Sequence, residues 1–187
     1  AKEVAQTCPL CRAELPPGLD GLYELAFRAY MRILGMVDRG EMDWVSLPKM
    51  VQVEMNEAVA MLTEAAAQGH MLAQAYLADM YDFGYGVAQD HARSFELYAQ
   101  AALQGDVDSQ FNLGCAYRDG EGCAQSSERA IEWFGKAAEQ GRADALFNLG
   151  GLLKKERKDI DGAEAAYRAA IAVDPGYAHA HYNLGLL

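Results

Sequence analysis

The chain has 187 residues, of which 51% are hydrophobic, and a formal net charge of −11. That apolar content is sufficient for a sizeable core, whereas the acidic balance would repel the phosphates of nucleic acid and excludes it as an expected partner. The same charge favours other proteins as partners, with a basic surface or a basic peptide. The sequence has no apolar run that could span a membrane and no signal peptide in residues 1–20.

The lead-in, residues 1–20, is predicted to be irregular because it contains three prolines and a glycine. It also contains Cys8 and Cys11. Two thiolates separated by two residues can bind one Zn²⁺ ion, as in a zinc knuckle, but a structural site needs four ligands. Cys115 and Cys123 lie in later repeats and cannot complete the site. We therefore predict Cys8 and Cys11 as an incomplete metal site, and expect no cofactor unless ligands outside this chain complete a zinc site.

Two helices are predicted before the regular repeats begin. Apolar residues recur at helical spacing from Leu22 to Val37 and from Val51 to Ala67, with a loop from Arg39 to Lys49 between them. The second helix fits the register of the later repeats. Residues 21–70 are therefore predicted to form a degenerate repeat with a lengthened loop.

The centre of the chain contains a 36-residue unit that is repeated in tandem, at residues 71–106 and 107–142. A period of this length indicates a solenoid of helical hairpins. The aligned Gly84 and Gly120 are predicted to supply the positive φ that the turn between the two helices needs. Asp90 is predicted to cap the N-terminus of the second helix in the first unit.

The register continues beyond these two units. Residues 143–177 form a further repeat, in which Lys154 to Asp159 replaces the glycine-bearing spacer. Residues 178–187 are predicted to be the first helix of another repeat. Because that helix has no partner and the chain opens without Met, we expect an internal portion of a longer protein. The four cysteines do not form a disulfide framework, so we expect an intracellular location, in the cytoplasm or another reducing compartment.

Residues 107–142 resemble Sel1-like repeats, relatives of the tetratricopeptide repeat with a glycine-bearing loop between the helices. The matching text is Asn112-Leu-Gly-Cys-Ala-Tyr-Arg-Asp-Gly-Glu-Gly122 followed by Ala130-Ile-Glu-Trp-Phe-Gly-Lys-Ala-Ala-Glu-Gln-Gly141. Residues 71–106 fit nearly as well, and residues 143–177 look like a tetratricopeptide repeat. The resemblance implies an all-α fold for residues 21–187, a right-handed α-solenoid of stacked helical hairpins. It also implies a non-enzymatic protein–protein interaction scaffold or adaptor, as a subunit or linker in a larger complex.

In such repeats the first helix of each hairpin, the A helix, lines a concave groove, and the B helix lies outside. The resemblance therefore implies a partner-binding groove formed by the residues at A-helix positions: Leu72, Asp79, Asp82, Asp108, Phe111, Asn112, Arg118, Asp144, Phe147, Asn148, Lys154, His179, Tyr182 and Asn183. In tetratricopeptide relatives an Asn at the position of Asn148 contacts the main chain of a bound peptide; the alternative is a solvent-facing consensus residue. Phe111 and Phe147 are open to two interpretations, as core residues, which is the commoner role, or as a platform for a ligand.

The sequence offers no catalytic arrangement. His179 and His181 are two residues apart on a helix and point in different directions, so they cannot share a metal. Paired carboxylates such as Asp159 and Asp161 are interpreted as helix caps. A second hypothesis comes from the order Cys8-Pro-Leu-Cys11-Arg12, which resembles the last ligand pair of a RING finger. That resemblance implies the substrate-recruiting region of a ubiquitin ligase, with the remaining ligands before Ala1.

Overall fold

The structure, a computed structural model, describes residues 19–44 and 46–187, and within these ranges all regular structure is helical. The chain divides into two compact units, Ala1–Gln100 and Ala101–Leu187. The fourth helix crosses the boundary between them.

The helices follow each other in hairpins, with short turns and no strand in the part of the chain that is described. In order they are α1 (Leu19–Asp38), α2 (Lys49–Ala67), α3 (Met71–Phe83), α4 (His91–Leu103), α5 (Val107–Asp119), α6 (Ser127–Glu139), α7 (Ala143–Leu152), α8 (Ile160–Val173) and α9 (Ala178–Gly185). The helices predicted at 22–37 and 51–67 are confirmed as α1 and α2, each slightly longer than the pattern indicated.

The turns of the two 36-residue units have the same geometry. Gly84 and Gly120 end α3 and α5 with φ of 73° and 79°, in the left-handed region that glycine enters without strain. The side-chain amide of Gln89 donates to the carbonyl of Asp82 at 2.6 Å, and Gln125 donates to the carbonyl of Arg118 at the same distance. The predicted positive φ of Gly84 and Gly120 is therefore confirmed in both 36-residue repeats.

Side-chain caps start most of the hairpin helices. The carboxylate of Asp90 accepts from the amides of Ala92 and Arg93, both at 3.1 Å, which confirms its predicted role. Asp159 caps α8 in the same way, by accepting from the amide of Gly162 at 2.9 Å. Asp161 lies in the first turn of α8, where a negative charge interacts favourably with the helix dipole.

The N-cap positions of the three A helices α3, α5 and α7 are 36 residues apart and carry different side chains. His70 Nδ1 accepts from the amide of Ala73 at 3.1 Å, and Asp106 accepts from the amide of Ser109 at 2.8 Å. Arg142, at the third position, has no acceptor group and makes no side-chain cap. Its guanidinium is free for other contacts, which are described below.

Two buried glutamines, 36 residues apart, join successive hairpins. Gln74 donates to the carbonyl of Ala66 in the last turn of α2 at 3.0 Å, and Gln110 donates to the carbonyl of Ala102 near the end of α4 at 3.2 Å. Carbonyls at a helix C-terminus have no partner within their own helix. Each carbonyl also accepts from the amide of a turn glycine, Gly69 or Gly105, so each glutamine adds a second hydrogen bond that ties its helix to the end of the preceding one.

Small residues allow the two helices of a hairpin to approach closely. A Cβ added to Gly114 of α5 would lie 2.7 Å from the ring of Phe134, which is fully buried in α6. Gly150 of α7 stands in the same relation to Tyr167 of α8, at 2.8 Å. Each glycine thus provides the space that a large ring of the facing helix fills.

The spacer of the last full repeat differs from the other two. Leu153–Arg157 continues α7 as one π-helical turn, so most of the segment predicted as spacer is helical. Lys158 then takes φ 56°, a left-handed conformation that is uncommon outside glycine. This single residue reverses the chain where the other repeats use glycine.

Candidate interaction surface

The A helices α5, α7 and α9 of the second unit, together with the residues that immediately precede α7 and α9, carry a connected set of polar and aromatic side chains. We call this set the A-helix strip and define it as Asp108, Phe111, Arg118, Arg142, Asp144, Asn148 and Tyr177. Each member contacts at least one other member, so the strip is held in place by its own contacts.

Arg142 is at the centre of the strip. Its guanidinium carbon lies 4.2 Å from the centroid of the Phe111 ring, within the range of a cation–π interaction. Nη1 pairs with the carboxylate of Asp108, and Nη2 lies 3.9 Å from Oδ2 of Asp144. The Nε atom is buried and has no hydrogen-bond partner. One side chain therefore holds two carboxylates from successive A helices.

Asp144 is fixed from a second side. The hydroxyl of Tyr177 donates to its Oδ1 at 2.8 Å. Burial and this hydrogen bond raise the pKa of Tyr177 to about 12, because both disfavour the phenolate. The Tyr177 ring also meets Phe147 edge to face, with centroids 5.5 Å apart. Tyr177 thus anchors the acidic part of the strip to the aromatic residues beside it.

Arg118 and Asn148 join α5 to α7. Nη1 of Arg118 donates to Oδ1 of Asn148 at 2.7 Å, and Nδ2 of Asn148 donates to the carbonyl of Asp144 at 2.8 Å. Arg118 also donates from Nε to Asp119 at 2.8 Å, and this hydrogen bond lowers the pKa of the Asp119 carboxyl. Asn148, predicted as a peptide contact, is therefore oriented by contacts on both ends of its amide.

The other predicted groove residues of the second unit surround the strip. Lys154 Nζ donates to the carbonyl of Leu186 at 3.4 Å, and Asn183 hydrogen-bonds to Tyr167. His179 lies 6.1 Å from the ring of Phe147. Asn112 is half-buried and Tyr182 is exposed. Phe111 also packs against Phe134, with centroids 5.6 Å apart, so its ring is both part of the core and the surface on which Arg142 stacks.

Asp79 and Asp82, predicted for the groove, bind the B helix of their own hairpin in the first unit. Asp79 accepts from the hydroxyl of Tyr98 at 2.6 Å. Asp82 lies 3.0 Å from Nδ1 of His91 and accepts from Ser94 at 3.3 Å. Their carboxylates connect α3 to α4, so we leave both residues out of the strip.

Sequence reasoning missed Arg142 and Tyr177 as members of the surface. A signal for Arg142 was present, since it occupies the N-cap position that His70 and Asp106 fill with acceptor groups. An Arg cannot accept a hydrogen bond. Its occurrence at a capping position indicates a role for its charge elsewhere.

The predicted zinc ligands Cys8 and Cys11 lie outside the described residues. The other two cysteines are free thiols. Burial raises the pKa of Cys115 to about 11, and burial also raises the pKa of Cys123, whose Sγ lies 3.6 Å from the carbonyl of Ala116. Because a zinc ligand must be a thiolate, this environment disfavours metal binding by either residue.

Among the described residues, the helices are too short or too polar to cross a membrane. This agrees with the absence of a long apolar run in the sequence.

Comparison with known proteins identifies the repeats. The model of the Sel1 repeat matches residues 49–70, 72–106 and 107–141, and a tetratricopeptide repeat model matches residues 151–187. A search of the curated proteins found no match to the sequence. The comparisons give no support to the RING resemblance of the lead-in, so the ubiquitin-ligase hypothesis stays a prediction without further evidence.

Two solved structures are similar over most of the chain. A protective antigen of uropathogenic Escherichia coli strains with an SLR fold has 31% identity and a TM-score of 0.68 over 91% of this chain. A Sel1 repeat protein from Oxalobacter formigenes has 24% identity and a TM-score of 0.68 over 92%. The chain spans 33% and 66% of those two proteins. The fold is an all-α repeat solenoid, built from Sel1 repeats that are followed by a tetratricopeptide-like repeat.

Proposed function

We propose that this chain is a non-enzymatic scaffold for protein–protein interaction, and that the A-helix strip binds a protein segment that carries basic groups. Sel1 and tetratricopeptide repeats are suited to such a role because their surfaces vary over a constant core. The strip is the part of the second unit in which charged, amide and aromatic side chains lie in contact with each other.

One observation carries the proposal. The carboxylates of Asp108 and Asp144 are held by Arg142, yet their side chains are 78% and 49% exposed. Asp108 is thus held by Arg142 and Asp144 by Arg142 and Tyr177, and both carboxylates remain partly open to solvent. A surface that is ordered before its partner arrives loses less entropy on binding, so its contacts contribute more to affinity.

Charge supports a basic partner. The chain has 27 Asp and Glu against 16 Lys and Arg, which attracts positively charged segments and accelerates their association. Within the strip, both arginines are engaged with carboxylate or amide oxygens, so the exposed groups are mainly acceptors. Lys and Arg side chains and main-chain amides of an extended segment supply the matching donors.

The test begins with selection of peptides from a random display library on the immobilised chain of 187 residues. We expect the selected sequences to be enriched in Lys and Arg. Their affinity is then measured for the wild type and for Asp108→Lys, which reverses the charge of an exposed strip residue. We expect affinity to fall by about tenfold or more, in the range measured for charge reversals at interfaces.

Glu139→Lys provides the matched control. Glu139 is exposed at the end of α6, a B helix, and the substitution makes the same change in net charge. We expect it to retain most of the wild-type affinity. Equal loss in the two variants would show that net charge alone attracts the peptides, and unchanged affinity in Asp108→Lys would place the binding site elsewhere. Either result would contradict the proposal.

A further inference from the structure

A stack of four aromatic rings in the first unit ends at an exposed ring. It runs from Tyr30 to Trp44, Tyr85 and Phe83, with successive centroids 6.3, 5.2 and 5.3 Å apart. The rings are nearly parallel, with interplanar angles of 21°, 23° and 24°. Tyr30 is buried, whereas Phe83 is 56% exposed. The stack therefore begins in the core and ends at the surface.

The turn that carries two of these rings does not need them. In the next repeat, Asp119 and Glu121 occupy the positions of Phe83 and Tyr85, and Gly120 has nearly the same backbone angles as Gly84. The amides of Tyr85 and Glu121 donate to equivalent carbonyls at 3.0 and 3.1 Å. Since the turn forms equally well with two acidic residues, the aromatic pair serves something other than turn formation.

For Tyr85 and Trp44 that role is structural. Both rings pack against the core of the first unit, and their contact attaches the loop after α1 to the turn after α3. Phe83 is different, because most of its surface is in solvent. Among the described residues, Tyr85 stacks on Phe83, and the four cation–π contacts involve other rings. The outer face of the Phe83 ring can accept one more planar group.

The charges around the stack favour a cation. Residues 19–100 contain twelve Asp and Glu against five Lys and Arg. The four arginines among these, Arg28, Arg32, Arg39 and Arg93, are each paired with a carboxylate already. Asp38, Glu41 and Asp43 all lie within six residues of Trp44. Burial raises the pKa of Tyr30, and the negative charges of Asp79 and Asp38 contribute to the rise. These two carboxylates therefore place negative charge close to the inner end of the stack.

We propose that the outer face of Phe83 is a docking site for an arginine side chain of a protein partner. A guanidinium is planar, is permanently charged, stacks on aromatic faces and is weakly hydrated, so it can extend the stack while the net negative charge of residues 19–100 attracts it. A lysine ammonium has the charge but lacks the flat face. This site is on the first unit and does not depend on the A-helix strip.

The chain itself uses the same chemistry on nearby rings. Arg93 lies over Tyr81, two residues before Phe83, at 5.4 Å, and Arg129 lies over Tyr117 in the next repeat at 5.3 Å. These arginines come from the B helix of the same hairpin and occupy those rings. Among the described residues, no arginine of the chain lies over the ring of Phe83, so a partner can supply one.

The test uses Trp44 as a reporter inside the stack. The chain has two tryptophans, so Trp133→Phe leaves Trp44 as the single source of tryptophan fluorescence. A short glycine-spaced peptide with two arginines is titrated into this protein, and its lysine counterpart is titrated in parallel. We expect a saturable change in Trp44 emission with the arginine peptide and an affinity about tenfold lower with the lysine peptide.

Phe83→Asp then separates stacking from charge. It installs the residue that the next repeat carries at this position, so the turn should fold, which circular dichroism and the melting temperature verify. Stacking predicts weaker binding of the arginine peptide, whereas attraction by charge alone predicts stronger binding. The proposal is overturned by equal or stronger binding to Phe83→Asp, by equal binding of the two peptides, or by no binding to the parent protein. A dimer that Phe83→Asp converts to monomers would also overturn it, because the face would then be a contact between copies.

Discussion

Arg142 stacks on the ring of Phe111 and pairs with Asp108, although its position in the repeat is that of an N-cap. At the two preceding positions of the register, His70 and Asp106 accept hydrogen bonds from helix amides. The third repeat thus replaces a local helix-capping contact with contacts between successive A helices. This exchange is what creates the centre of the A-helix strip.

The loss of a capping side chain at position 142 predicts that two substitutions there differ in their effect on stability. Arg142→Leu removes the charge and adds no acceptor, whereas Arg142→Asn removes the charge and supplies an N-cap for α7. We expect the Asn variant to have a free energy of unfolding about 1 kcal/mol higher than the Leu variant. Urea denaturation followed by circular dichroism measures the difference. If the Leu variant is as stable as the Asn variant, position 142 does not act as a cap site.

Substitution of Gly120 tests whether the turn requires a residue in the left-handed backbone conformation. Its φ is 79°, and an added Cβ would lie 3.3 Å from Cβ of Gln125. Gly120→Val should therefore lower the free energy of unfolding by about 2 kcal/mol or more. Gly135→Ala is the matched control, since no atom lies within 4 Å of the added Cβ and the residue is inside a helix. It should be neutral or stabilising by up to about 1 kcal/mol. An unchanged melting temperature for Gly120→Val would count against the turn assignment.

Two buried serines should respond to alanine in opposite ways. Ser109 is fully buried and its Oγ has no partner, whereas the Oγ of buried Ser94 donates to Asp82 at 3.3 Å. The positions equivalent to Ser109 in the flanking repeats are Ala73 and Ala145, both fully buried. Ser109→Ala should stabilise the fold by about 1 kcal/mol, and Ser94→Ala should destabilise it by a similar amount. Thermal unfolding of the two variants decides, and a loss of stability in Ser109→Ala would contradict the prediction.

The raised pKa of Tyr177 predicts a loss of stability at alkaline pH. In the unfolded chain this tyrosine titrates near its ordinary value of 10.0, and in the folded protein it titrates at about 12. Below pH 10 its contribution to stability is fully present. Between pH 10 and pH 12 the unfolded state releases the proton first, so stability falls as pH rises.

Tyr177→Phe should make the decline between pH 10 and 12 shallower, because the residue that titrates differently in the two states is gone. Tyr182, which is 68% exposed, supplies the control variant Tyr182→Phe, and this variant should retain the wild-type slope. Urea midpoints at intervals across this pH range provide the measurement. Identical slopes for Tyr177→Phe and the wild type would show that burial of this hydroxyl does not affect stability.

Much of the fold could be predicted from the sequence because its determinants are local. The left-handed glycines, the cap at Asp90 and the helical spacing of apolar residues each act within a few positions of the chain, and the 36-residue register repeats them. The spacer at residues 154–159 was less predictable. It has no glycine, and one π-helical turn with Lys158 at positive φ reverses the chain instead.

The candidate site was less predictable because it depends on long-range partners that differ between repeats. Asp82 and Arg118 occupy the same register position. Asp82 binds His91 and Ser94 of its own hairpin, whereas Arg118 reaches Asn148 in the next A helix. Register alone places a residue on an A helix. The charge of the side chain and the residues available to pair with it decide whether it contacts the B helix of its own hairpin or the residues of the strip.

Binding of a basic protein segment to the A-helix strip of the second unit can be observed residue by residue. The most direct measurement is a titration of the ¹⁵N-labelled chain with a selected basic peptide, followed by amide chemical shifts. We expect the largest changes to cluster on α5, α7 and α9, including the amides of Asp108, Asp144 and Asn148. Changes confined to the B helices α6 and α8, with the strip unaffected at saturation, would contradict it.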